Sequence, residues 1–81
     1  MNVTVAHRIR LRRLDQERPV QPGDLVLVDL GHAHDVTTAQ MWRLRALVTG
    51  AARVELHGST RKLRDQIADF LHRNADTMAE L

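Results

Sequence analysis

The chain has 81 residues, no cysteine and a formal net charge of +2, with a pI near 10.4. A chain of this size makes one domain that buries only about 60% of its unfolded surface. Without cysteine it has no disulfide or thiolate–zinc staple to add stability. No apolar run approaches the roughly 18 residues of a membrane span. Residues 1–5, followed by His7 and Arg8, lack the apolar core and cleavage site of a secretory signal. A soluble cytoplasmic protein is expected, and self-association as a homodimer is the simplest remaining aid to stability. Lys62 is the only lysine among the 12 basic residues, an arginine bias that GC-rich genomes such as those of actinobacteria and their phages produce.

Val3, Val5, His7, Ile9 and Leu11 alternate with Thr4, Ala6, Arg8, Arg10 and Arg12. That period of two predicts a strand with one buried face, and the β-branched residues at its start favour strand over helix. Two prolines and a glycine within residues 15–24 predict a wide loop. The run Leu25-Val26-Leu27-Val28-Asp29-Leu30 is apolar at nearly every position and bounded by breakers, which reads as a strand buried on both faces. Residues 37–49 carry Met41, Leu44, Leu47 and Val48 on one helical face, with Thr37 or Asp35 as N-cap and Gly50 at the C-cap. Ala52, Val54 and Leu56 alternate with Arg53, Glu55 and His57 in a further strand. Gly58-Ser59 makes a turn, with Ser59 as N-cap of the helix that follows. Leu63, Ile67, Phe70 and Leu71 form an i, i+4, i+7, i+8 stripe predicting a helix over 60–73, where Asn74 stops it or residues 75–81 extend it.

The expected architecture is a small two-layer α/β sandwich in ββαβα order, a three-stranded mixed sheet with two helices on one face. The strand–helix–strand crossover is expected to be parallel and right-handed. The opposite sheet face then presents Arg8, Arg10, Arg12, Arg53, Glu55 and His57 around apolar side chains of the central strand, either Leu25 and Leu27 or Val26 and Val28. Those side chains need a cover, from long Arg stems or from a second subunit.

Gly31-His32-Ala33-His34-Asp35 follows the central strand, where open α/β sheets place ligands. Two imidazoles and a carboxylate suit a metal, but the further ligands of a His-x-His site are missing, and a polar loop is the expectation. Asp29 and Asp35 are a candidate carboxylate pair, although Asp29 also reads as a strand-end acid paired with an Arg or a loop amide. There is no Gly-x-Gly-x-x-Gly, phosphate-loop or nucleophile signature, so no catalytic residue, cofactor or metal site is expected. Arg61, Lys62 and Arg64 crowd the start of the last helix, as a solvated basic face or a place for an anion.

Residues 25–71 resemble the core of a STAS domain, the fold of anti-sigma-factor antagonists. The resemblance rests on a strand ending in Asp29-Leu30, the helix start Asp35-Val36-Thr37-Thr38, the turn and strand Gly50-Ala51-Ala52-Arg53-Val54-Glu55-Leu56, and a helix with Leu63 and Phe70-Leu71 after Ser59. The family's helix start carries Asp-Ser-Ser/Thr-Gly, and its first Ser accepts phosphate from a partner kinase. Here Val36 stands at that position and cannot accept phosphate, and Thr38 replaces the glycine. The family's C-terminal part has no counterpart before Leu81. The resemblance implies a docking surface around the loop and first helix.

A non-enzymatic module that binds and modulates another protein is therefore expected, with the partner contacted by His32, His34, Asp35, Thr37, Thr38, Gln40, Arg43 and Arg45. Thr37 is the candidate regulatory hydroxyl. The alternative is a nucleic-acid-binding protein using Arg8, Arg10, Arg12 and Arg13 on phosphates, with binding that weakens steeply as salt rises.

Overall fold

The computed structural model describes residues 7–79, with side chains through Asn74. The elements are β1 (His7–Arg10), a 3-10 helix (Leu11–Gln16), β2 (Leu25–Asp29), α1 (Thr38–Val48), β3 (Arg53–His57) and α2 (Arg61–Ala79). The three strands form one sheet in the order β1-β2-β3. Both pairings are parallel: Ile9 lies beside Val28, and Val28 beside Leu56.

The sheet is thus parallel, not mixed, and the reason lies in residues 11–24. The alternation that reads as strand through Leu11 gives way after Arg10 to a three-residue period, and Leu11 and Leu14 are both buried by the 3-10 helix. Val20 is buried as well, and its N–H donates to the Leu47 carbonyl at 2.9 Å. This segment packs against α1 and returns the chain to the amino end of the sheet. It exceeds the dozen or so residues that a parallel connection needs. The first part of the expected strand, residues 3–6, lies outside the described residues.

β2 is buried on one face only, not two. Val26 and Val28 are closed off from solvent, whereas Leu25 and Leu27 are half-exposed. Ile9, Val26 and Val28 form a single cluster with Leu44 and Leu47 of α1 and Leu63 and Ile67 of α2. The helices therefore place their apolar stripes on the Val26/Val28 side of the sheet. Fully burying side chains of this size contributes about 1.5–3 kcal/mol each.

α1 begins with a capping box: Gln40 N–H donates to Thr37 Oγ1 at 3.0 Å, and Thr37 N–H donates to Gln40 Oε1 at 2.8 Å. α2 runs on past Asn74, whose side-chain amide donates to the Phe70 carbonyl one turn back at 2.8 Å. Asn74 therefore stays within the helix instead of ending it. Its N-terminus is capped by Thr60, whose hydroxyl accepts from Leu63 N–H at 3.2 Å, while Ser59 donates to the Ala33 carbonyl. Gly58 has a φ of +86°, and a Cβ there would sit 3.0 Å from the Gly31 backbone. Only glycine allows both that conformation and that approach. The loops after β2 and β3 are thereby locked together, and Ser59 N–H adds a bond to the Gly31 carbonyl at 2.8 Å.

Candidate interaction surface

The parallel register sorts the strand side chains into two faces. Opposite the core, one row across the sheet reads Arg8, Leu27, Glu55, and the next reads Arg10, Asp29, His57. Leu25 lies beside Arg53 below them. Two half-exposed leucines thus stand at the centre of a charged surround, and neither belongs to the core cluster. All-parallel sheets are almost always covered on both faces, so this bare face departs from the rule for its topology.

Several of the surrounding charges pair with one another. Arg8 bonds Asp29 Oδ2 at 2.7 Å, and Asp29 Oδ1 accepts from Gly31 N–H at 2.9 Å. The Arg8 hydrogen bond, followed by that of Gly31, holds the Asp29 carboxyl below its usual range. Arg53 lies 3.3 Å from one Glu55 oxygen, and His57 Nε2 lies 3.8 Å from the other. An apolar centre inside a polar rim is the anatomy of a protein–protein contact.

The residues expected to bind a partner are divided by the structure. His32, His34, Asp35 and Thr38 are exposed at the carboxyl end of the sheet. Thr37 and Gln40 serve as the capping box of α1. Arg43 reaches the 3-10 segment, donating to the carbonyls of Leu14 at 3.4 Å and Glu17 at 3.3 Å. Arg45 lies 5.2 Å from the Trp42 ring centroid, with its Nε buried and without a hydrogen-bond acceptor. Trp42 in turn meets Phe70 of α2 edge-on at 5.0 Å. Four of the eight expected contacts, Thr37, Gln40, Arg43 and Arg45, are thus engaged within the chain itself.

The basic residues also separate. Arg8 and Arg10 share the open sheet face, whereas Arg12 and Arg13 are exposed on the 3-10 helix. A cavity of about 490 Å³ at the carboxyl ends of β1 and β2 brings Arg10 and Arg12 together with Asp29, His32, Asp35 and Gln40. The acids there balance the arginines. Among the described residues no group of three His, Asp or Glu side chains is placed to hold a metal ion. A second cavity of about 550 Å³ lies between α1, β3 and α2, over Val54 and Leu56. Arg64, in the basic start of α2, donates to the carbonyls of Gly58 at 2.7 Å and Ser59 at 3.2 Å.

The sequence placed Arg53, Glu55 and His57 on this sheet face, left Leu25 and Leu27 or Val26 and Val28 as its apolar centre, and named a second subunit as one cover, but put the partner surface on the loop and first helix. The signal that would have found them is the parallel topology, which makes a bare face conspicuous. Among the described residues, no helix is long and apolar enough to cross a membrane. Comparison with family models, with curated proteins and with solved structures gave no match.

Proposed function

We propose that this chain is a non-enzymatic protein-interaction module that docks another polypeptide on the open face of its sheet. The observation carrying the proposal is the uncovered parallel face, with Leu25 and Leu27 only half-buried between Arg8, Arg53 and Glu55. Desolvating those two leucines rewards a partner with an apolar patch of its own, and the charged rim sets register. The resemblance to anti-sigma-factor antagonists, which also work by docking, supports the same class of function. Nucleic acid is the poorer fit to this face, because Arg8 is already paired with Asp29 and Arg53 with Glu55.

The test is capture by the tagged chain from lysate of its own cells, with and without nuclease, in the parent and in Leu27→Asp. A stoichiometric protein that survives nuclease and is lost with Leu27→Asp is the expected result. Far-UV circular dichroism establishes that the variant is folded. Nucleic acid retained by Leu27→Asp but lost with Arg12→Glu and Arg13→Glu would contradict the proposal.

A further inference from the structure

We infer that the occupant of the open sheet face is a second copy of the chain, packed sheet to sheet about a two-fold axis parallel to the strands. The inference rests on the reading of that face as a docking surface and names what docks there.

The argument comes from the register. Arg8, Leu27 and Glu55 lie in one row, on β1, β2 and β3 in turn, so that row carries a cation on one side of Leu27 and an anion on the other, Arg8 being paired with Asp29 and Glu55 with Arg53 within the single chain. Two such faces can stack with strands aligned, about 10 Å apart, as sandwich sheets do. A two-fold axis along the strands lays β1 of one copy over β3 of the next. Arg8 then meets Glu55 of the second copy, Glu55 meets its Arg8, and Leu25 and Leu27 each meet their own counterparts. A two-fold axis across the strands would instead set Arg8 on Arg8 and Glu55 on Glu55, and like charges brought together on desolvation oppose association. The self-complementary solution is therefore the one along the strands, and an isologous contact of this kind closes at two copies.

The row Arg8, Leu27, Glu55 is central in the strands, where the angle between two twisted sheets displaces facing residues least. In the next row Arg10 lies over His57, and Asp29 over its own counterpart. Each Asp29 keeps its own Arg8 guanidinium at 2.7 Å, a cation it shares with Glu55 of the second copy. The second copy also supplies the second cover that a parallel sheet ordinarily has.

The test uses the full chain in sedimentation equilibrium over a wide concentration range. The parent is expected to dimerise. Arg8→Glu alone places Glu against Glu55 of the second copy, and Glu55→Arg alone places Arg against Arg8, so each variant is expected to lose self-association. Mixed together they offer two opposite-charge contacts again, and a one-to-one heterodimer is expected. That restoration is independent of what either substitution does within its own chain. Should either charge variant fail to fold by circular dichroism, Leu27→Thr, which places a β-branched residue suited to a strand there, is expected to raise the dimer dissociation constant about tenfold or more. A parent that stays monomeric, a dimer indifferent to all these changes, or mixed variants that fold but do not associate would each overturn the inference. A monomeric parent whose captured protein is still lost with Leu27→Asp would overturn the second copy alone and leave the docking face standing.

Discussion

The two faces of this sheet are built from the same three strands and meet opposite fates. On one face Ile9, Val26 and Val28 are closed over by the 3-10 helix, α1 and α2. On the other, Leu25 and Leu27 stand half-exposed between arginines and Glu55. β3 alternates between apolar and polar residues, β1 has Ile9 as its one apolar residue, and only the central strand is apolar on both sides. A second buried layer of the same chain would call for apolar residues across all three strands. Apolar side chains confined to the middle, with charges around them, suit a surface that is wet in the free chain and dry at its centre in a complex. The first face makes the fold; the second is the one proposed for recognition.

The largest expected effect lies on the closed face. Ile67 is fully buried in the cluster, so Ile67→Ala is expected to lower the unfolding free energy by about 2–5 kcal/mol. Urea denaturation followed by circular dichroism measures it. A loss below that range would mean that the α2 stripe is not the cover of the sheet.

The loop at the carboxyl end offers a sharper contrast. Thr37 caps α1 through its hydroxyl, and Thr37→Ala is expected to cost about 1 kcal/mol of stability. Its capture of a partner should equal that of the parent once the protein is folded. Lost capture in a stable Thr37→Ala protein would move recognition from the sheet face to the loop.

The smallest effect concerns acid. The Asp29 carboxyl is held below its usual range, first by the Arg8 hydrogen bond and then by Gly31 N–H. A carboxyl lowered in the folded state binds fewer protons there than in the unfolded chain. Its contribution is therefore present above the ordinary carboxylate range and disappears as pH falls through the lowered value. Arg8→Gln is expected to make the decline of stability below about pH 4 shallower. The difference should be slight and should shrink further in salt, because the pair is exposed. Acid titrations of parent and variant that superpose at low salt would show that the pair is broken in solution.

Much of the fold was legible in particular residues. Thr37, one of two N-cap candidates, Gly50 after α1 and the Leu63/Ile67 stripe follow from local chemistry, and each stands where the pattern allows it. The open face was legible in its charges, from Arg8 to His57, but not in its leucines. A strand apolar at four successive positions gives period two nothing to choose between, and only pairing with Ile9 and Leu56 settles that Val26 and Val28 face inward. The direction of β1 was hidden because Leu11 continues the alternation while in fact opening a 3-10 helix. The tasks of Arg43 and Arg45 were hidden because the carbonyls of Leu14 and Glu17, and the Trp42 ring, reach them only through tertiary packing.

The most direct test of the difference between the two faces is the stability of Leu27→Thr, measured by urea denaturation at a concentration where the chain is monomeric. The account predicts a midpoint within about 1 kcal/mol of the parent's, the size of a surface strand substitution. A loss comparable to that of Ile67→Ala would show that Leu27 belongs to the folding core, and would contradict the assignment of the open face to recognition.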